Sequence, residues 1–416
     1  MEKNFKYVKI IYCNMRLDFT GETFGPFDRK VTLSMIASKL TDRPEAVITS
    51  EAAKNGILKS VTVFGPNASG KSYLFKAIST LQSVIGKRRT PTQPIWPYNP
   101  FAVRRKRSVE PTTFGIRLVE GGIIYDYAIS YADDHVQYER LTYYPNNYPV
   151  VVFEREFGKK GKNLKDAHML TNTTAYLLFA SEFNDRICND ALKAIMGIRV
   201  VSDASVSLRS SLEELNGHPE LRPMVLDAMD AADMGITDID IVMGRRMPEY
   251  DDDAFDDRKQ VDLRITGIVH EFDDGEGGMS RVKLYLPLES SGSKEMLTVI
   301  VPIAECLRDG GTIVIDEFGS KLHHGLTRWI LNMFNSDMNR NGAQLLVNTH
   351  DLGLMDISEI QRRDQIRFTN RSRETGISEL YSLTDFGGVT KRTNVLKEYL
   401  DGRYSAVPCT VGRDIL

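Results

Sequence analysis

The chain has 416 residues, of which 42% are apolar and 26% are charged, and its formal net charge is −3. This apolar fraction can build a packed interior and excludes a wholly disordered protein, while the length allows two or three domains or one large core with insertions. The chain has no run of about 18 apolar residues for a membrane helix and no secretory signal pattern, so we expect a cytoplasmic protein without membrane contact.

The N-terminal part of the chain predicts strands around one helix. Runs at 7–13 and 30–36 mix β-branched, aromatic and polar residues, as half-buried strands do. The apolar run Ser60–Phe64 predicts a buried strand, and a helical pattern follows over Tyr73–Ile85. The segment 87–108 is rich in proline and basic residues, so it predicts a loop.

The remaining elements predict a mixed α/β protein. Short alternating runs over 111–157 predict an antiparallel meander, and the spacing from about 172 to 232 is helical. The acidic run 249–257 predicts a solvated loop, and a hairpin is expected over 261–288. The last third alternates helix and strand, which predicts a parallel sheet with crossover helices.

A glycine-rich segment with the pattern G-x-x-x-x-G-K-[ST] lies between the predicted buried strand and its helix. Its glycines let the backbone approach phosphate oxygens, while N–H groups and the helix N-terminus supply positive charge. The lysine can contact the β- and γ-phosphates, and the serine hydroxyl can ligate Mg²⁺. A turn that only resembles a phosphate loop is disfavoured by the flanking strand and helix. The predicted site for ATP and Mg²⁺ comprises Gly65, Pro66, Asn67, Ala68, Ser69, Gly70, Lys71 and Ser72.

Polar side chains end two later apolar strands. The run 312–315 leads into Asp316, which we expect to hold Mg²⁺, and Glu317, which we expect to polarise the attacking water. The run 345–348 leads to His350, which can contact the γ-phosphate. The alternative interpretation is an ordinary acidic turn and a structural histidine, since both are common. Ligands, however, bind at the carboxyl ends of the strands in such sheets. The candidate catalytic residues are Glu317, His350 and Lys71, and the candidate metal ligands are Ser72 and Asp316.

A Ser-Gly turn precedes the helix that leads to Asp316. Residues 289–295 read ESSGSKE, and such a turn can hold a second anion through Ser291 and Gly292. The alternative is an ordinary helix cap formed by Ser293 with Glu295 nearby.

These motifs, in this order, resemble those of the ABC-type ATPases. The resemblance is narrower to the stand-alone ABC-type, AAA-family ATPases of bacterial anti-phage defence represented by RloA and AbiLi, with relatives in the PARIS, Septu and OLD-type systems. Matching segments are FGPNASGKS, LLFASEFN, ESSGSKEM, IDEFGSKLHHGL, NTHDLGLMD and YLDGRYSAVP. The resemblance implies an α/β fold of the P-loop NTPase class. This fold would be an ABC/SMC-like ATPase head that carries an antiparallel β-subdomain and a helical insertion. We expect residues 1–170 and 246–416 to form the N-terminal and C-terminal parts of the head, and residues 171–245 to form the helical insertion.

The resemblance also implies partners and a role. A head-to-tail homodimer or higher oligomer would close Ser291 and Gly292 of one subunit on the nucleotide of another, and would control a separate effector. About 66 residues follow His350, too few for a fused nuclease, so an RloB/AbiLii-like or TOPRIM-type nuclease partner is expected. A nucleic acid or a phage protein would be the trigger. The sequence SSGSK departs from the transporter signature LSGGQ, and Gln93 is the candidate for the Q-loop glutamine.

Two other functions are considered. The basic clusters Lys87–Arg89 and Arg104–Arg107 motivate a DNA-binding repair or recombination ATPase of the RecF kind, although a solvated loop explains them as well. A small-molecule kinase is disfavoured, because acidic residues at a strand end and a histidine after the next strand suit the hydrolysis of ATP.

Overall fold

The computed structural model describes residues 15–101, 110–201, 208–231, 235–245, 261–273, 275, 278–284, 288–320 and 322–406. The strand predicted at 7–13, the basic cluster Arg104–Arg107 and the acidic run 249–257 lie outside these residues.

A six-stranded sheet positions the candidate site. Its strands are β5 (Ser60–Phe64), β10 (Arg199–Val201), β14 (Thr312–Ile315), β15 (Gln344–Asn348), β16 (Ile366–Arg371) and β17 (Ser378–Ser382). The spatial order is β10-β14-β15-β5-β16-β17, and every neighbouring pair is parallel except the last. Strands β5, β14 and β15 are buried throughout, as is typical of a parallel sheet that is covered on both faces.

Helices cover both faces of this sheet. They are α1 (Lys71–Ile85), α2 (Tyr176–Glu182), α3 (Arg186–Met196), α4 (Leu208–Gly217), α5 (Arg222–Ala231), α6 (Ser291–Asp309), α7 (His324–Asn335) and α8 (Val395–Leu400). Side chains alternate between the faces of a strand. Val314 and Leu346 therefore join the core that contains α1, while Ile313 and Leu345 join the core that contains α6 and α7. None of the helices in the described ranges is long and apolar enough to cross a membrane.

A second six-stranded sheet is antiparallel and packs against α1. It has the order β2-β1-β6-β7-β8-β9. Its strands are β1 (Met15–Glu22), β2 (Val31–Ser34), β6 (Thr112–Glu120), β7 (Ile123–Tyr131), β8 (Val136–Tyr144) and β9 (Val150–Glu156). A hairpin of β3 (Val47–Ser50) and β4 (Ala53–Leu58) leads into β5. The meander predicted over 111–157 is present, and the α/β fold with an antiparallel β-subdomain is confirmed.

The segment 171–245 is not helical throughout, in contrast to the prediction. It contains α2 to α5, but β10 joins the parallel sheet beside β14. In addition, β11 (Ile236–Arg245) pairs with β12 (Val261–Asp273), which pairs with β13 (Met279–Leu284), so the predicted hairpin is part of a three-stranded sheet. A three-residue strand such as β10 has no readable periodicity, and its identity comes from its pairing partner.

Candidate nucleotide-binding site

The loop between β5 and α1 has the backbone that a phosphate cradle needs. Gly65 has φ +154° and Gly70 has φ +106°, and both values disfavour side chains. A Cβ on Gly65 would lie 2.4 Å from the carbonyl oxygen of Thr369, and one on Gly70 would lie 3.1 Å from the ring of Phe27. Gly70 provides no side-chain cap for α1, so a side-chain cap does not occupy the first N–H groups of the helix, which can bind an anion.

A cavity of about 630 Å³ adjoins this loop. It brings together predicted residues from distant parts of the sequence, namely Asn67, Ala68, Gly70, Lys71, Ser72, Glu317 and His350. Gly65, Pro66 and Ser69 line a neighbouring cavity of about 830 Å³, which also reaches His350. Asp316 lines a third cavity, of about 460 Å³, which shares Glu317 with the first.

Lys71 is largely buried beneath the loop. Its Nζ donates to the carbonyl oxygens of Gly65 at 2.7 Å and Pro66 at 3.0 Å. Burial lowers the pKa of Lys71 to about 8, although the nearby charges of Asp316 and Glu317 oppose this shift. The two carboxylates are therefore close enough to act on the ammonium group.

Asn348 holds the two acidic residues in place. Its side-chain Nδ2 donates to Asp316 Oδ1, and its Oδ1 accepts the backbone N–H of Glu317 at 2.7 Å. Glu317 has φ +56°, a left-handed conformation that this hydrogen bond stabilises. Asn348 was not predicted from the sequence, although a polar residue that ends an apolar strand beside Thr349 and His350 is a usable signal.

His350 lines the cavity in an environment that favours its neutral form. Burial, and then the charge of Lys71, lower its pKa, while Glu317 opposes the shift. The next residue, Asp351, accepts hydrogen bonds from His324 Nδ1 at 2.8 Å and Thr327 Oγ1 at 2.6 Å. The first turn of α7 is thus attached to the turn that carries His350.

The Ser-Gly turn lies at the N-terminus of α6. Ser290 is the cap, and not Ser293 as the alternative interpretation had it, because the Oγ of Ser290 accepts the backbone N–H of Ser293 at 3.0 Å. Ser291 is exposed, and neither Ser291 nor Gly292 belongs to the described residues that line the 630 Å³ cavity. Within one chain, the structure does not bring this turn to the phosphate loop.

The donor groups fit Mg²⁺ that arrives with a nucleotide. Mg²⁺ in such sites takes one or two protein oxygens together with phosphate oxygens. The Ser72 hydroxyl and the Asp316 carboxylate are donors of this kind. In the described part of the chain, no group of three His, Cys, Asp or Glu residues could hold a metal ion by itself.

Several residues that sequence reasoning missed also line the cavity. Gly25 and Pro26 come from the connection after β1, and the others are Tyr73, Asn99, Pro100 and Arg371. Gln93 is exposed, its Oε1 accepts the backbone N–H of Thr90 at 2.8 Å, and it is not among the described residues lining the cavity. In the described part of the segment 87–108, the side-chain amide that lines the 630 Å³ cavity is that of Asn99.

The first basic cluster has structural partners. The buried Arg89 donates to the carbonyl oxygens of Val84 at 2.7 Å and Ser83 at 3.0 Å, at the end of α1. Arg88 lies 3.3 Å from the carboxylate of Glu182. Both arginines therefore have intramolecular partners, which weakens the case for a DNA-binding loop at this position.

Residues 205–356 match an AAA-domain family whose description refers to the AbiEii toxin and to type IV toxin–antitoxin systems. This segment is less than half of the chain. It includes Glu317 and His350 and begins after the phosphate loop. Together with the geometry of that loop, the match supports an ATPase of the AAA type. No curated protein matches the chain.

Similar solved structures include SMC head domains. The SMC head domain from Thermotoga maritima is 14% identical, with a TM-score of 0.42 over 88% of this chain and 98% of that chain. An Smc head bound to the C-winged helix domain of ScpA is 12% identical, with a TM-score of 0.46 over 88% and 97%. The Smc head domain with an extended coiled coil from Pyrococcus furiosus, bound to the C-terminal domain of ScpA, is 12% identical, with a TM-score of 0.42 over 94% and 99%. Similarity at this level concerns the fold alone.

Proposed function

We propose that this chain is an ATP-driven switch of a bacterial anti-phage defence system. The observation that carries the ATPase assignment is the convergence of three neighbouring strands. Strands β14, β15 and β5 end at one edge of the sheet and place Glu317, His350 and Lys71 around one cavity. Ligands bind at this edge in open α/β sheets.

Each of these residues has a role in hydrolysis that its position supports. Lys71 and the N–H groups at the start of α1 bind the phosphates of ATP. Glu317 orients and polarises the water that attacks the γ-phosphate, and a neutral His350 donates a hydrogen bond to that phosphate. Bound through Ser72 and Asp316, Mg²⁺ would neutralise charge on the β- and γ-phosphate oxygens.

The exposed Ser-Gly turn supports a composite site. Ser291 and Gly292 lie at the N-terminus of α6, outside the lining of the phosphate-loop cavity of their own chain. A helix N-terminus in this position can bind the nucleotide of a second subunit, since two copies arranged head to tail complete each other's sites. ATP would then hold the two subunits together, and hydrolysis would release them.

The defence role is supported by the sequence resemblance and by the description of the matching family, which refers to type IV toxin–antitoxin systems. The switch would control a separate RloB/AbiLii-like or TOPRIM-type nuclease in response to a nucleic acid or a phage protein. The RecF-type alternative depends on a basic surface, and Arg88 and Arg89 already have partners within the chain.

The ATPase and the clamp are tested with Glu317→Gln, which removes the charge that polarises water and keeps the size of the side chain. We expect this variant to bind ATP, to release almost no phosphate and to elute as a dimer in size-exclusion chromatography with ATP and Mg²⁺. The exposed Glu51 offers a matched control, Glu51→Gln, which should behave like the wild type. A wild-type protein that binds no ATP would refute the ATPase, and a Glu317→Gln monomer would refute the clamp.

The defence role needs a separate test in cells. Bacteria that carry the gene with its native neighbouring genes are challenged with phages, and Lys71→Ala should abolish protection. Protection by that variant would refute an ATP-driven switch. Salt-dependent DNA binding with DNA-stimulated hydrolysis, and no protein effector, would instead favour the RecF-type function.

A further inference from the structure

Strand β16 continues alongside the phosphate loop. It pairs in parallel with β5, and its register places Phe368 beside Phe64, the last residue before the loop. The following residue of β16, Thr369, is therefore next to Gly65. This explains why a Cβ on Gly65 would meet the Thr369 carbonyl oxygen at 2.4 Å.

Thr369 holds the loop through a buried hydrogen bond. Its hydroxyl lies 2.6 Å from the hydroxyl of Ser69, and both side chains are almost fully buried. Arg371 comes two residues later, on the same face of the strand, because side chains on a strand repeat every second residue. The strand that contacts the loop through Thr369 thus also carries a cation, Arg371, at its exposed end.

Arg371 borders two cavities beside the loop. It lines the 630 Å³ cavity with Lys71 and Glu317, and the 830 Å³ cavity with Ser69. Its Nε donates to the carbonyl oxygen of Gly376 at 2.9 Å, which fixes the direction of the side chain. Among the described residues, its two terminal amino groups have no hydrogen-bond partner in the protein.

The order of the strands places Arg371 and His350 on opposite sides of the loop. His350 follows β15, the phosphate loop follows β5, and Arg371 ends β16. If the γ-phosphate lies towards Glu317 and His350, as proposed above, then the flank of β16 faces phosphate oxygens that ATP and ADP share. A guanidinium group suits this position, since its planar set of donors matches phosphate oxygens.

We propose that Arg371 is a nucleotide-binding residue that contacts the α- or β-phosphate from the side opposite His350. This inference rests on the proposed function, because it requires that a nucleotide occupies the phosphate loop. It adds a cation that the glycine-rich motif does not contain and that comes about 300 residues later in the chain. Arg371 would bind ATP and ADP alike, in contrast to His350, which would distinguish them.

The test compares the binding of ATP and ADP, each with Mg²⁺, to the full-length chain by isothermal titration calorimetry. Arg371→Ala should raise Kd for both nucleotides by about tenfold or more, since hydrogen bonds to charged groups are among the strongest in proteins. Arg371→Lys keeps the charge but loses the planar set of donors, so it should fall between the wild type and Arg371→Ala. Arg340→Ala is the matched control, because the exposed Arg340 is not among the described residues lining any of the three cavities.

The outcomes separate this inference from the proposed function. Wild-type binding together with an unchanged Kd in Arg371→Ala would refute the role of Arg371 alone. A loss of affinity for ATP but not for ADP would also refute it, since it would place Arg371 at the γ-phosphate. A wild-type protein that binds neither nucleotide would refute the proposed function itself. The thermal midpoint of each variant without nucleotide shows whether it is folded, and Arg371→Lys provides the second readout if Arg371→Ala is not.

Discussion

Two opposing effects determine the charge of the Lys71 side chain. The proposed function requires a charged Lys71 to bind phosphates, but burial lowers the pKa of Lys71 to about 8. The carboxylates of Asp316 and Glu317 limit this shift, so the ammonium group stays mostly protonated near neutral pH. The acidic residues proposed to act in hydrolysis therefore also help to keep Lys71 charged.

A pH dependence of nucleotide affinity follows from this value. As pH rises from 7 to 9, Lys71 in the free protein loses its proton, and binding then requires proton uptake. The affinity for ATP should therefore fall by about tenfold at pH 9, one unit above the pKa. Isothermal titration calorimetry in buffers of different ionisation enthalpy would measure both the affinity and the proton uptake.

Lys71→Arg provides the comparison, because arginine keeps its charge over this range. Its affinity can be weaker at every pH, but the dependence on pH should be nearly absent. An equally steep decline in both proteins would assign the titration to another group.

At the scale of elements, a buried ion pair joins the two large sheets. Arg362 donates to Asp364 Oδ1 at 2.9 Å and to the carbonyl oxygen of Asp42 at 2.6 Å, and the Asp364 carboxylate accepts from the backbone N–H of Ser38 at 2.8 Å. Ser38 and Asp42 belong to the connection after β2, whereas Arg362 and Asp364 precede β16. Arg362 and Asp364 thus have a structural role.

We expect Arg362→Met to lower the free energy of unfolding by about 3–5 kcal/mol, because it leaves the Asp364 carboxylate buried without its partner. The control is Arg209→Met, which removes an exposed pair with Glu213 and should cost about 0.5 kcal/mol. Urea unfolding followed by circular dichroism would measure both. Equal losses in the two variants would contradict the structural role of Arg362.

A second buried pair joins the three-stranded sheet to the Ser-Gly turn. His270 of β12 lies 2.7 Å from the carboxylate of Glu289, directly before the cap of α6. Both side chains are buried. The pair can therefore determine where Ser291 and Gly292 lie relative to the rest of the chain.

If the Ser-Gly turn acts on a second subunit, His270→Asn should weaken ATP-dependent dimerisation without changing Kd for ATP in the monomer. In the Glu317→Gln background, analytical ultracentrifugation would show the dimer dissociation constant rising by about tenfold, which corresponds to one lost hydrogen bond to a charged group. His168→Asn, at an exposed histidine before α2, is the control. A weaker Kd for ATP with unchanged dimerisation would contradict this role.

At the scale of the whole molecule, the proposed composite site predicts complementation between two inactive variants. Lys71→Ala removes a phosphate-loop contact, and Gly292→Asp places a negative charge at the Ser-Gly turn. In a mixed head-to-tail dimer, one of the two sites keeps both an intact loop and an intact turn. An equimolar mixture should therefore recover about a quarter of the wild-type ATPase rate, since half of the dimers are mixed and each has one active site.

Phosphate release from each variant alone, and from the mixture, would measure this effect. Two variants that stay inactive when mixed would indicate that each site is built within one chain. Mixing Lys71→Ala with Glu317→Gln is the control, because both changes affect the same half-site and no intact site can form.

The sequence by itself determined the local chemistry. The glycine-rich loop, the acidic strand end at Asp316 and Glu317, and the buried strands of the parallel sheet were predicted, because each depends on neighbouring residues and on a short period of apolar positions. Only the tertiary structure decided which residues meet. The edge strand β10, the support that Asn348 gives to Glu317, and the place of Arg371 beside the loop all depend on strand order. Strand order is set by packing between segments far apart in the chain, and no local pattern encodes it.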